Sequence, residues 1–166
     1  MYRFDTILFT VDCGIAVLTL NREDALNAFN LTMMTDIKSA MNIVEADHNI
    51  RALVITGAGR AFCSGQDLRD RPTQSADVVT ALMEGYFPTL QAVKNSRVPV
   101  VTAVNGVAAG AGCAFALLGH LTIAGESASV IQVFSRIGLA PDLGSTHLLP
   151  RLIGRSRALR MMLTNE

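Results

Sequence analysis

The longest apolar run of the 166-residue sequence, residues 98–118, constrains the fold more than any other feature. Five residues interrupt it: Pro99, Asn105, Gly106, Gly110 and Gly112. A membrane-spanning helix needs about 20 consecutive apolar residues, so these interruptions favour a buried strand, a turn and a buried helix instead. We therefore expect no membrane association.

The rest of the chain alternates short strands with segments of helical spacing. Residues 7–9 and 15–20 flank a turn signal at residues 12–14 and predict a hairpin. Asn30 can cap a helix whose apolar residues recur every three or four positions. These apolar residues are Met33, Met34, Ile37, Met41 and Val44. Residues 52–56, 98–104 and 121–124 predict three further strands, all of them buried.

Helical spacing returns twice more. After a polar loop at residues 69–75, apolar residues follow a helical pattern past a kink at Pro88. They are Val79, Leu82, Met83, Tyr86, Leu90 and Val93. From residue 144 onward the pattern is again helical and shows no stop signal, so we expect a C-terminal portion beyond Glu166. This order of elements predicts an α/β fold and a single domain over residues 1–166.

Composition narrows the range of partners. Fourteen Lys and Arg balance 14 Asp and Glu without any basic cluster, which argues against a nucleic-acid-binding protein. Only 17% of the residues are charged, so we expect another subunit or further chain to cover part of the surface. The three cysteines are widely spaced and the N-terminus lacks a signal-peptide pattern, which predicts a cytoplasmic protein without disulfides.

Two glycine-rich turns, residues 57–67 and 105–112, each follow a predicted core strand and precede a plausible helix. Phe62 and Phe115 stand where a dinucleotide-binding turn needs its third glycine, and no phosphate-binding Gly-Lys-Ser/Thr sequence occurs. A single turn of this kind most often serves tight packing. Two such turns, however, can direct backbone N–H groups at one point and form an oxyanion hole.

Four segments of the chain carry a resemblance to a known family. They are residues 15–22 with 26–29, residues 60–68, residues 99–112 and residues 138–146. In this order they resemble the crotonase, or enoyl-CoA hydratase/isomerase, superfamily. The resemblance implies an α/β crotonase-like fold, a spiral of repeated ββα units that is truncated before the C-terminal helical segment. It also implies an acyl-CoA thioester as partner, coenzyme A only as part of the substrate, no permanent cofactor, and a homotrimer or hexamer.

Carried over by position, the resemblance assigns the oxyanion donors to the N–H groups of Gln66 and Ala111. The residues it implies for coenzyme A binding are Ala25, Leu26, Ala28, Ala61, Ser64, Gly65, Gln66, Asp67, Leu68 and Gly110. Asp67 also has a structural interpretation, which we weight more heavily, because a carboxylate just inside a helix start is stabilised by exposed N–H groups.

The departures from the family pattern bear on the reaction. Hydratases of the family carry two glutamates, and by register these positions are Ala114 and Phe134, neither of which can transfer a proton. Asp142 stands where some isomerases place their only essential carboxylate, and residues 134–151 look most like the 1,2-epoxyphenylacetyl-CoA isomerase branch. The resemblance therefore favours an isomerase with Asp142 as proton shuttle, whereas position alone slightly favours Asp142 as a helix cap.

Two alternatives stay open: an enoyl-CoA hydratase or lyase with a different base, and a non-catalytic module that binds CoA thioesters. Cys63 has no evident base nearby and is expected to be a buried thiol rather than a nucleophile. The histidines His48, His120 and His147 share no ligand spacing, so no metal site is predicted. Five apolar residues either line an acyl pocket or belong to the core: Tyr86, Phe87, Leu90, Val133 and Phe134.

Overall fold

The computed structural model describes residues 2–69 and 79–166. The predicted hairpin is confirmed: β1 (Ile7–Asp12) pairs antiparallel with β2 (Ile15–Leu20). Its two turn residues, Cys13 and Gly14, both have positive φ angles of 49° and 79°. This is the turn geometry whose twist matches that of the two strands.

Two sheets organise the fold. The first has the order β1-β2-β3-β5-β7 and is parallel from β2 onward, with β3 at Ala52–Gly57, β5 at Val100–Val104 and β7 at Leu121–Ala124. The second is parallel and consists of β4 (Ala61–Cys63), β6 (Val107–Ala109) and β8 (Ser129–Ile131). Each of β3, β5 and β7 therefore leads by a short connection into a strand of the second sheet. The arrangement confirms the predicted α/β fold of ββα units.

The first helix, α1 (Leu31–Ala46), begins as predicted. The side chain of Asn30 accepts a hydrogen bond of 2.9 Å from the N–H of Met33, which satisfies one of the free donors at the helix start. The predicted apolar face of α1 is buried against the core. Within this core, Phe115 packs edge-on against Phe29 at 5.2 Å between ring centroids and lies 6.4 Å from Phe62.

The second helical segment contains a π-helical stretch that the apolar spacing did not predict. A π-helical stretch at Ala81–Tyr86 leads directly into α2 (Phe87–Lys94). Helical conformation is continuous across the junction, since Tyr86 and Phe87 both have right-handed helical φ and ψ angles. Pro88, which has no N–H to donate, thus follows the π-helical stretch inside one helical segment, and the kink expected there stays a prediction. Of the predicted loop at residues 69–75, all but Arg69 lies outside the described residues.

The remaining helices confirm the buried helix predicted within residues 98–118 and the helical pattern predicted from residue 144 onward. They are α3 (Ala111–Ala116), α4 (Ser145–Ile153) and α5 (Arg155–Thr164). Asn165, which follows α5, adopts a left-handed conformation, φ 56°, and its N–H donates to the carbonyl of Met161. Within the described ranges, no helix has the length and apolar character that a membrane crossing requires.

The strand predicted at residues 121–124 is confirmed as β7, but the prediction that it is buried is wrong. All four residues of β7 are exposed, and the side chains of Leu121 and Ile123 are 55% and 56% exposed. β7 is the edge strand of the first sheet. An apolar run predicts a strand well, but it does not show whether anything covers that strand.

Candidate active site

The loop that follows β4 fixes the orientation of the Gln66 backbone N–H. The N–H of Phe29 donates to the carbonyl of Gly65 at 2.7 Å, and the N–H of Asp67 donates to the carbonyl of Phe29 at 2.8 Å. These two hydrogen bonds form a parallel bridge between Phe29 and Gln66. In a parallel bridge Phe29 bonds the residues on either side of Gln66, and the N–H and C=O of Gln66 itself point to the opposite side. The N–H of Gln66 therefore faces away from Phe29.

The second glycine-rich turn ends at the start of α3, as predicted. Gly110, with a positive φ of 53°, precedes the helix and its N–H donates to the carbonyl of Ile131 at 2.9 Å. Ala111 is the first helical residue, so its N–H has no acceptor within the helix. Residues 64–69, at the end of the first turn, are not helical, and the helix predicted after them would begin outside the described residues.

The two turns contact each other through Gly65. A Cβ atom added to Gly65 would lie 2.9 Å from the carbonyl oxygen of Ala109 and 3.5 Å from the nitrogen of Ala111. Gly65 also has a φ of +105°, which side-chain-bearing residues rarely adopt. Glycine at this position thus allows the chain around Gln66 to approach the start of α3.

A cavity of about 210 Å³ lies where the two turns meet, and Gln66, Ala111 and Asp142 all line it. The other lining residues come mainly from the two turns, the π-helical stretch and the 3₁₀ helix at Phe134–Ile137. They are Ser64, Gly65, Leu68, Leu82, Tyr86, Gly110, Val133, Phe134, Arg136, Ile137, Leu139 and Leu143. The structure thus brings the three predicted catalytic residues to one largely apolar cavity.

Asp142 is the only carboxylate among the described residues that line this cavity. Its backbone carbonyl accepts a 2.9 Å hydrogen bond from the N–H of Ser145, in the first turn of α4. The residue at the N-cap of α4 is Gly144, two positions after Asp142. Ala114 is fully buried in α3, and Phe134 contributes an apolar part of the cavity wall.

Comparisons with known proteins agree with this geometry. The family model described as enoyl-CoA hydratase/isomerase matches residues 10–166. The chain belongs to this family. It is 47% identical over 161 residues to the 1,2-epoxyphenylacetyl-CoA isomerase of Escherichia coli, covering 95% of this chain and 62% of that protein. It is 45% identical over 163 residues to a Rhodobacter capsulatus protein named "Probable enoyl-CoA hydratase", covering 98% of this chain and 63% of that protein.

A solved structure supports the same assignment. The enoyl-CoA hydratase of Bacillus anthracis superimposes with a TM-score of 0.92 at 30% sequence identity, covering 98% of this chain and 64% of that chain. The crotonase fold predicted from the resemblance is thereby confirmed. The chain spans 62–63% of the length of the two curated relatives described above.

Three of the residues that the family resemblance implies for coenzyme A binding are in direct contact. The N–H of Ser64 donates to the carbonyl of Leu26 at 3.0 Å, and its hydroxyl donates to the carbonyl of Ala25 at 3.2 Å. Ala28 and Ala61 are buried, so their side chains face the interior. The role of this region in binding stays a prediction.

Asp67 precedes residues that lie outside the described range, so the helix start expected there stays a prediction. Asp67 accepts a hydrogen bond of 3.1 Å at Oδ1 from the N–H of Arg69. Its carboxylate is buried and forms ion pairs with Arg22 Nη2 at 2.9 Å and Arg69 Nε at 3.1 Å. Hydrogen bonds from Arg69 foremost, and also from Arg22, lower the pKa of Asp67 to about 2 despite the opposing effect of burial. Asp67 therefore joins the segment after β2 to the loop that carries Gln66.

Cys63 is a buried thiol, as expected. Burial raises its pKa to about 12, so it stays protonated and is a poor nucleophile at neutral pH. His120 accepts a 3.1 Å hydrogen bond at Nδ1 from the N–H of Val100, which is a structural contact. Across residues 2–69 and 79–166, no cluster of three or more His, Cys, Asp or Glu side chains could hold a metal ion.

The predicted acyl-pocket residues divide between two cavities. Tyr86, Val133 and Phe134 line the cavity described above, whereas Phe87 and Leu90 line a separate one of about 190 Å³. Tyr86 and Phe87 are neighbours in a helical segment, so their side chains point in different directions and reach different cavities. Arg136 also lines the first cavity, and the sequence did not predict this because no motif or periodicity singles out Arg136.

Proposed function

We propose that the chain is an acyl-CoA isomerase that stabilises an enolate and moves a proton with one carboxylate. The observation that carries this proposal is the shared cavity, in which Asp142 lines the same walls as Gln66 and Ala111. In this assignment the thioester carbonyl oxygen accepts hydrogen bonds from the N–H groups of Gln66 and Ala111. Backbone dipoles that are already aligned stabilise the negative charge that develops on this oxygen.

One carboxylate is sufficient for isomerisation. Asp142 removes a proton from one carbon of the acyl group and returns it to another, so it ends the cycle in its starting state. Hydration additionally needs a group that activates water. The hydratase positions hold Ala114 and Phe134, and the cavity walls are mainly apolar. These residues favour the isomerase over a hydratase or lyase.

The relatives do not distinguish the two activities, since the isomerase and the hydratase named above are 47% and 45% identical to this chain. A hydratase or lyase with another base is therefore the second candidate. A third is a thioester-binding module without turnover, because the chain spans only 62–63% of those relatives. Assembly into a trimer or hexamer also stays a proposal.

The deciding experiment compares wild type with Asp142→Asn on a panel of enoyl-CoA substrates and 1,2-epoxyphenylacetyl-CoA. We expect isomerised product from wild type, loss of most turnover in Asp142→Asn, and nearly unchanged acyl-CoA affinity by calorimetric titration. The substitution preserves shape but removes the group that carries the proton. Glu126→Gln, at an exposed position, is the matched acid-to-amide control and should keep full turnover.

Each remaining outcome supports a different candidate. Hydrated product from wild type favours the hydratase, and binding without any turnover favours the thioester-binding module. An active Asp142→Asn variant refutes the proton shuttle. Absence of acyl-CoA binding refutes both enzymatic assignments for this chain.

A further inference from the structure

A fully buried glutamine, Gln132, lies directly after β8 and just before the cavity wall formed by Val133 and Phe134. Its side-chain nitrogen Nε2 lies 2.9 Å from the Sγ atom of Cys113 and 3.5 Å from the Oγ atom of Ser145. No described residue donates to its oxygen Oε1. A buried amide bonded on one side only is costly to a fold and calls for an explanation.

The contacts of Gln132 join the elements that carry the proposed chemistry. Cys113 belongs to α3 and follows Ala111 by two residues, so a contact at Cys113 opposes rotation of the helix start. Ser145 is also fully buried, and its N–H donates to the carbonyl of Asp142. One side chain thus touches the helix that presents the Ala111 N–H and the turn that presents the Asp142 carboxylate.

We infer that Gln132 is a positioning residue, which sets the placement of the Ala111 N–H relative to Asp142. The inference rests on the proposed function, because it takes the two groups to act on one acyl chain. Gln132 is not itself a lining residue of the cavity, so it acts only through Cys113 and Ser145. Hydrogen bonds are directional, so the two contacts of Nε2 fix the relative placement of Cys113 and Ser145 more narrowly than apolar packing would.

A substitution at Gln132 distinguishes a positioning role from a purely stabilising one, because the first lowers turnover and the second lowers the melting temperature. Met matches Gln in length, and Gln132→Met also removes the amide oxygen to which no described residue donates. The melting temperature should therefore stay within about 3 °C of wild type. Turnover should fall between about tenfold and about 100-fold, because small misplacements of reacting groups are costly in rate. The KM for the acyl-CoA should change less than about twofold.

A second readout does not depend on turnover. A conjugated thioester such as 4-(dimethylamino)cinnamoyl-CoA absorbs at longer wavelength when its carbonyl oxygen accepts hydrogen bonds. We expect wild type to shift the absorption of this probe and Gln132→Met to shift it less. If wild type shifts the probe but isomerises nothing, the proposed function fails and the shift still tests Gln132. If wild type produces no shift, the positioning role is refuted as well.

The controls cover stability and folding. Val44→Ala, in the buried face near the C-terminal end of α1, should lower the melting temperature without changing the shift or kcat. If Gln132→Met fails to fold, Cys113→Ala and Ser145→Ala remove its two contacts singly, and each should reduce the shift or kcat. A full shift and wild-type kcat in the folded variants would overturn the inference. So would a lowered melting temperature with unchanged kcat per folded molecule.

Discussion

Gly112→Ala should separate the two turns that carry Gln66 and Ala111. An added Cβ at Gly112 would overlap the carbonyl oxygen of Cys63 and lie 2.8 Å from the Cys63 Cβ atom. Heavy-atom contacts of this kind settle above about 3.4 Å, so α3 must move from β4 by on the order of 1 Å. Gly112 has an ordinary helical conformation, and the helix alone would gain about 1 kcal/mol from alanine. Any loss must therefore come from the contact with β4.

Gly112→Ala should lower both the stability of the fold and kcat. Overpacking a tight contact destabilises the fold by about 1–3 kcal/mol, which thermal unfolding measures. A misplacement of about 1 Å between groups that act together can lower kcat by about 100-fold, which the acyl-CoA assay measures. The matched control is Gly125→Ala, whose added Cβ would meet the Val104 carbonyl oxygen at an ordinary 3.7 Å. Wild-type kcat and probe shift in a folded Gly112→Ala variant would refute the claim that this close approach sets the site geometry.

Three further predictions test the surroundings of the site. Asn27→Ala removes the three hydrogen bonds made by a fully buried side chain and should lower the free energy of unfolding by about 3 kcal/mol, or the melting temperature by about 10 °C; an unchanged melting temperature would contradict this. The folded-state pKa of Asp67, about 2, lies below the unfolded value of 3.8, so its stabilisation is present above pH 4 and disappears as the pH falls toward 2. In acid titrations the stability difference between wild type and Asp67→Asn should shrink over that window, and a constant difference would count against the assignment. Exposed Cys13 should react quickly with an alkylating agent in the native protein, whereas buried Cys63 and Cys113, with pKa values raised to about 12 and about 11, should react only after unfolding, as mass spectrometry can count.

Local patterns predicted the elements whose signals lie within a few residues. The hairpin turn at Cys13 and Gly14, the cap at Asn30 and the buried face of α1 each depend on neighbours in sequence. The three strands of the second sheet were missed because three residues are too few to show a periodicity of two.

The candidate site was predicted from the glycine-rich turns and the family resemblance. The features that the sequence did not predict are contacts between segments that are distant in sequence. The ion pair between Arg22 and Asp67 joins residues 45 positions apart, and no local pattern indicates it. The exposure of β7 likewise depends on what lies beside the strand. The π-helical stretch at Ala81–Tyr86 was also missed, because it leaves no mark in the apolar spacing that predicts the helix.

The short second sheet explains why the proposed groups meet. Gln66 follows β4, Ala111 follows β6 and Asp142 follows β8, so each repeat supplies one group. The carboxyl ends of parallel strands share one edge, which is where ligands bind in open parallel sheets. Neighbouring strands lie about 4.8 Å apart. Two amide nitrogens at that spacing can each reach one oxygen at about 2.9 Å if the oxygen lies about 1.6 Å off the line between them. Strand spacing alone is therefore compatible with two donors sharing a thioester oxygen, and the side chains that follow β8 need only supply the proton chemistry.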